Sequence, residues 1–310
     1  MSSLKPFLVA CAPMVFVLLW STGFIGAAMS MPYSEPFTFL GLRFLLTLAV
    51  LFGLALILKA RLIMAPRQMG HVGVVGILVH GIYLGGVFFA VERGMPAALS
   101  ALIVGLQPLI TAAMAGPLLG ETVTRRQVAG LLLGLLGVAL VLGVKLAPAG
   151  AATLFEGFDI WAVLACVVAL LGITFGLVYQ KRFCGRVDLV GGAVVQYAVA
   201  ALVCGAVALL FEDNRIAWTG EFIFALAWLV LVLSIGAVSL LMLLVRWGEA
   251  ARTASLFYLV PPATAVTAYL LFGDRLTLVQ LLGMALAAAG VALVVARQGP
   301  AGGAAVRAKT

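Results

Sequence analysis

Residues 101–143 and 254–296 read as one segment written twice, aligning without a gap at a fixed offset of 153. Matched pairs include Pro108/Pro261, Thr111/Thr264, Gly120/Gly273, Thr124/Thr277, Gln127/Gln280, Gly130/Gly283 and the closing Gly137–Val141/Gly290–Val294. An acid recurs as Glu121/Asp274. Both copies are apolar enough to lie in lipid. The duplication therefore narrows the chain to membrane folds that pair two repeats about a central site, the plan of many transporters.

Composition agrees. Of 310 residues 65% are hydrophobic and 10% charged, whereas a soluble domain carries about 25% charge. A membrane span takes about 20 mostly apolar residues. Ten such stretches are present, at 6–29, 36–58, 71–91, 97–119, 126–146, 159–180, 188–210, 222–245, 253–272 and 277–296. The expected fold is all-α: an integral membrane bundle of ten transmembrane helices in two five-helix repeats, over residues 5–147 and 158–297. Lys5 and the apolar run after it imitate a signal peptide. The run continues to Met29, too long for a typical hydrophobic core of such a peptide, so an uncleaved span is expected. Cys11, Cys166, Cys204 and Cys184 show neither metal-ligand spacing nor a disulfide framework. They read as small packing residues.

The net charge of +8 does not point to nucleic acid, because Lys and Arg fall at helix ends. With the N-terminus in the cytoplasm, 14 of them lie inside, 4 outside, and Arg43 within a span. Such a bias sets orientation and places both termini in the cytoplasm. Five helices per repeat is an odd number, so the second copy enters the membrane from the opposite side. The repeats are thus expected to be inverted. One matched loop agrees: Arg125-Arg126 of the first copy become Leu278-Val279 in the second.

Local chemistry recurs too. Gly120 and Gly273 suit helix ends, where the left-handed conformation favours glycine. Thr124-x-x-Gln127 and Thr277-x-x-Gln280 fit capping boxes. Glu121 and Asp274 stand near the next helix start, which favours a carboxylate. Gly130, Gly134, Gly137 and Gly283, Ala287, Gly290 form small-residue faces that let helices approach closely. The fifth helix is expected to pack on the tenth. Pro108, Pro117, Pro261 and Pro262 interrupt the fourth and ninth helices, marking a hinge, a midplane site or simple shape adaptation.

At these residues the chain resembles the drug/metabolite transporter superfamily, EamA type. The resemblance rests on Leu19-Trp20-Ser21-Thr22-Gly23-Phe24, Leu42-Arg43-Phe44, Gly94-Met95-Pro96-Ala97-Ala98, Leu106-Gln107-Pro108 and Leu119-Gly120-Glu121, then Gln127-Val-Ala-Gly130 and Gly137-Val138. In the second half it rests on Arg252-Thr253-Ala254-Ser255, Leu259-Val260-Pro261, Phe272-Gly273-Asp274 and Gln280-Leu-Leu-Gly283. It covers residues 5–297. It implies a ten-helix inner-membrane carrier whose first, third, fourth, sixth, eighth and ninth helices surround a cavity. It also implies export of amino acids or related metabolites, and leaves the substrate open.

Polar side chains deep in spans are rare and are functional candidates by default. Trp20, Ser21 and Thr22 lie near mid-span in the first helix. Trp20 suits stacking on a solute or an interfacial anchor; Ser21 and Thr22 suit the site or bonds to their own backbone. In the third helix His80 shares a face with Tyr83, as a proton carrier or a neutral hydrogen-bonding group. Gln107, Thr174 and Tyr258 complete the substrate-binding candidates, with Tyr179, Ser234 and Ser239 weaker. Arg43 is read as an anchor, snorkelling outward or paired with Glu35, or as a receptor for a substrate carboxylate.

No Asp or Glu lies deep in a helix, which argues against a strong cation as solute and against tight proton coupling. No Walker sequence, metal cluster or nucleophile–base pair appears, so no cofactor and no enzyme activity are expected. The expectation is a permease exporting a small metabolite, with solute and membrane lipid as partners, no nucleic acid, and a monomeric or homodimeric state. The alternatives are a multidrug or nucleotide-sugar carrier, a lipid-handling intramembrane enzyme using His80, and a non-transporting receptor or scaffold.

Overall fold

The computed structural model describes residues 4–95, 100, 103–146, 158–248, 250–263, 266 and 277–295, and these are all-helical apart from one isolated β-bridge. Seven helices among them are long and apolar enough to cross a membrane. The first, α1 (Leu4–Ser30), carries its span over Cys11–Tyr33. The other six are α2 (Pro36–Ile57), α3 (Pro66–Glu92), α6 (Ile160–Phe183), α7 (Leu189–Phe211), α8 (Gly220–Trp247) and α10 (Leu278–Val295). Between them run α4 (Gln107–Leu119), α5 (Arg125–Leu146) and α9 (Ala250–Ser255), the last continued by a 3₁₀ turn at Leu256–Leu259. Outward faces carry bare apolar side chains such as Leu45, Leu202, Leu209 and Phe224, as lipid requires.

Helix starts follow from side chains that meet orphan backbone donors. Asp159 Oδ1 accepts from Ala162 N at 3.0 Å, Asp188 Oδ1 from Gly191 N at 2.8 Å, and Thr219 Oγ1 from Phe222 N at 3.2 Å. Both capping boxes form. Gln127 Oε1 accepts from Thr124 N at 2.9 Å while Gln127 N donates to Thr124 Oγ1 at 3.3 Å. The equivalent distances at Thr277 and Gln280 are 3.0 and 3.2 Å. Gly120 closes α4 at φ +68°. Its counterpart Gly273, with Asp274, lies outside the described residues. Glu121 does more than face a helix start: it pairs with Lys181 of α6 at 2.6 Å.

The main helix pairings cross from one half of the chain to the other: α1 on α8, α2 on α7, α3 on α6 and α7, α4 on α9, and α5 on α10. The α5–α10 seam is the expected glycine face. A Cβ at Gly290 would lie 2.5 Å from Gly130 O and 2.5 Å from Gly134 N, so only glycine permits this approach. The proline breaks form at Pro108 and Pro261, whereas Pro117 sits inside the continuous helix α4 and interrupts nothing. α4 begins at Gln107 after a turn at 105–106, and helix resumes at 260 after the 3₁₀ turn, so Pro108 and Pro261 open equivalent segments.

Two features were not foreseen. Within α3, Gly76–Leu84 is π-helical, and within α8 so is Leu229–Ala237. Their ends stand 153 residues apart, the offset of the sequence repeat. The second feature is a clasp at one end of the bundle. Ser34 bridges Ile216. Glu212 accepts from Phe37 N at 2.8 Å and from Thr38 N at 2.6 Å, and Tyr33 O accepts from Ala217 N at 2.8 Å. The carboxylate of Glu212 thus caps the start of α2, where the macrodipole favours it.

Candidate functional site

Four helices meet around a small cavity. α1 supplies Trp20, α2 supplies Arg43, α3 supplies His80, Tyr83 and Phe88, and α8 supplies Leu233. Its volume is about 40 Å³, room for about three waters. The π turns explain who faces it. A π segment adds a residue to a turn and re-aims the side chains there, and such segments cluster at functional sites. His80 is the middle residue of Gly76–Leu84, and Leu233 stands at the equivalent place in Leu229–Ala237.

Arg43 is 1% exposed, the only charged side chain among the described residues that is buried. Its Nε and Nη2 donate to Ser234 Oγ at 3.1 and 3.0 Å. Its Nη1 meets no hydrogen-bond partner. The guanidinium lies 5.8 Å from the Phe44 ring centroid, in cation–π range. Neither snorkelling nor the pairing with Glu35 occurs. Glu35 instead accepts from the backbone N–H groups of Asp213 at 3.2 Å and Arg215 at 3.3 Å.

His80 is fully buried and stacks on Tyr197, ring centroids 4.4 Å apart. Neither of its ring nitrogens meets a partner in bonding geometry, and Gln196 of α7 is its polar neighbour. The Tyr197 hydroxyl donates to Ser234 O at 3.2 Å. Buried carbonyls displaced from the regular ladder need a donor, and Tyr197 supplies one. Trp20 packs on Phe16 and Phe257 at 5.2 and 5.3 Å between centroids, and its indole neighbours the Tyr83 hydroxyl. It is buried, so it does not anchor at an interface.

Trp20, His80 and Tyr83 are therefore brought together. The other five candidates do not line this cavity. Ser21 Oγ donates to Leu18 O at 2.8 Å and Thr174 Oγ1 to Leu170 O at 2.6 Å. Thr22 Oγ1 donates to Leu19 O and accepts from Trp228 Nε1 at 2.9 Å, tying α1 to α8. Gln107 Nε2 donates to Thr111 Oγ1 at 3.0 Å. Tyr258 is buried against Gly134 on the α5–α10 side. Of the weaker candidates, Tyr179 OH bonds His71 Nδ1 at 2.7 Å, and Ser239 lines a separate cleft.

That cleft, about 410 Å³, lies between α2, α7 and α8 and is mostly apolar, with Ser234, Ser239 and Gln196 as its polar residues. Ser234 borders the cleft while Arg43 borders the cavity, so their hydrogen bonds form the wall between the two. Sequence reading missed Tyr197 and undervalued Ser234. The usable signal was a hydroxyl in the eighth span at the depth of a lone arginine in the second. Among the described residues no group of His, Cys, Asp and Glu is arranged to hold a metal ion.

The model of the EamA-like transporter family matches residues 7–143 and again 160–296. The chain is 28% identical over 287 residues to the "Uncharacterized transporter YvbV" of Bacillus subtilis, covering 90% of this chain and 88% of that one. It is 25% identical to the "Probable amino-acid metabolite efflux pump" of Salmonella typhimurium, over 90% of this chain and 91% of the relative. A "Probable terminal-alkyne amino-acid exporter" of Streptantibioticus cattleyicolor is 29% identical over 212 residues, 66% of this chain and 65% of that one. One solved crystal structure superposes with a TM-score of 0.76, covering 92% of this chain and 95% of that one at 24% identity. At that identity the likeness speaks for the fold alone.

Proposed function

The chain belongs to the EamA-like transporter family, and from that premise we propose that it exports a small metabolite of the amino-acid type across the inner membrane by alternating access. Membrane transport as such follows from the family, the similar transporters and the apolar helices. The finer reading has ten spans in two inverted five-helix repeats, 5–147 and 158–297, with both termini cytoplasmic. It is supported by helix pairings that map onto themselves when the halves are exchanged, and by π segments at the repeat offset. The observation that carries the solute site is that one cavity gathers a buried arginine with Nη1 unmet and a buried histidine whose ring nitrogens meet no partner in bonding geometry, with Gln196 as its polar neighbour; Ser100 Oγ, Gln107 Oε1 and Tyr258 OH are also unmet, but none of these lines that cavity. Buried polar groups are as a rule bonded, and intramembrane ionisable residues mark solute pathways. Trp20, His80 and Tyr83 are assigned to the solute. The fourth and ninth spans hinge at the breaks just before Pro108 and Pro261 as the halves rock. The amino-acid character is taken from what the similar Salmonella and Streptantibioticus proteins are named for.

The test is counterflow in proteoliposomes over a panel of amino acids, their acyl and keto derivatives, and cationic drugs. Flux of at least one amino-acid derivative, lost in His80→Ala, is expected. A panel with no flux, from protein that reconstitutes and melts normally, defeats the reading.

A further inference from the structure

Arg43 poses an electrostatic problem that the described residues do not solve. A buried charge is tolerated when a counter-charge and hydrogen bonds replace its water. Every described carboxylate that an ion pair or hydrogen bond places is engaged elsewhere: Glu121 on Lys181, Asp159 on Arg93, Glu35 on the 213–215 backbone, Glu212 on the start of α2, Asp188 on Gly191 N, Asp213 on Arg215 and Glu221 on the Tyr33 hydroxyl. Ser234 is neutral and takes only one edge of the guanidinium, that of Nε and Nη2. This pins the plane and leaves the other edge, with Nη1, unmet at the cavity. That end-on fork, Nη1 with the second N–H of Nη2, is one of the two edges of a guanidinium that can grip a carboxylate bidentately.

We propose that Arg43 receives the carboxylate of the transported solute, whose class is a small organic acid with an apolar body. The inference rests on the permease reading above and names the group that its site recognises. The cavity that Arg43 borders, about 40 Å³, has room for the three heavy atoms of a carboxylate. Beyond Arg43, His80 and Tyr83 the wall, with Trp20, Val87, Phe88 and Leu233, is apolar and suits an aliphatic or aromatic body. No described acidic side chain lines the cavity, so an ammonium group finds no counter-charge there. Recognition runs through the acid end, and a free amine is dispensable.

The experiment uses the full chain in proteoliposomes and in detergent. Two probe series are compared, each as acid, amide, amino acid and amino-acid amide: 4-methylpentanoate with leucine, and 3-phenylpropanoate with phenylalanine. In the wild type the acids are expected to exchange at least tenfold faster than their amides, with the amino acids no faster than the acids lacking the amine. Arg43→Gln should erase the acid–amide difference while its ligand-free melting temperature stays level or rises, because an uncompensated buried charge has been removed. Arg43→Lys, a point charge without the fork, should retain part of the preference. An amide moving as fast as its acid overturns the carboxylate assignment and leaves the permease standing. So does an Arg43→Gln protein that still discriminates, or one whose ligand-free melting temperature falls as an anchor's would. No flux for any solute, charged or neutral, overturns the permease reading and the assignment together.

Discussion

The α5–α10 seam offers the sharpest quantitative test. Gly290→Ala places a methyl group 2.5 Å from both Gly130 O and Gly134 N, and 2.8 Å from Gly134 Cα. All three are backbone atoms, so no side chain can swing aside. Ordinary carbon contacts lie near 3.5 Å, so the helices must part by about 1 Å, and a gap of that size forfeits a quarter to a half of each dispersion contact along the seam. Overpacking of this kind costs about 1–3 kcal/mol. The better helix propensity of alanine returns at most about 1 kcal/mol. Within lipid the parted faces gain nothing from solvent, so a net loss of about 1–2 kcal/mol remains. For a chain of this size, at about 2–4 °C per kcal/mol, the melting temperature in detergent should fall by roughly 2–8 °C. Gly53→Ala in α2 is the control, because nothing lies within 4 Å of its added Cβ. It should be neutral or stabilising by up to about 1 kcal/mol. Equal melting of the two variants would refute the close-packed seam.

Other substitutions separate structure from function. Thr277→Ala removes one partner of the second capping box and should cost about 1 kcal/mol, read as a lower melting temperature; unchanged melting would count against the cap. Thr22→Val breaks the bond from Trp228 and should lower stability by about 1 kcal/mol while leaving solute affinity intact; a selective change in affinity would place Thr22 at the solute. His80→Gln should do the reverse, weakening flux with little change in melting. Glu121→Gln breaks a half-buried pair with Lys181, and its effect on melting should shrink as salt rises; a salt-independent effect would mean that packing, not charge, holds that corner.

Much of the fold was legible because its causes are local. Apolar runs, capping boxes at Thr124 and Thr277, proline breaks at 108 and 261 and the glycine face of α5 all act within a few residues of where they are written. The site was less legible, because which side chains converge depends on the rotation of each helix about its axis. The π segments alter that rotation in α3 and α8 and carry no local signature. They turn His80 and Tyr83 inward, while Ser21, Thr22 and Thr174 spend their hydroxyls on nearby carbonyls. Arg43 was recognised as exceptional from its position in a span. Its partner was misjudged, because Glu35 is near in sequence but is drawn to the 213–215 backbone, whereas Ser234 is 191 residues away.

The contacts between the 33–38 corner and the 212–217 loop have a kinetic implication. They consist of short backbone-directed bonds made by neighbouring residues on both strands of chain, so they yield together or not at all. These two corners must travel as one piece, and whatever parts at that end of the molecule parts elsewhere along its rim. Damage to the fastening, for example Glu212→Gln, should then alter how fast the protein cycles between its faces and leave the strength of solute capture untouched.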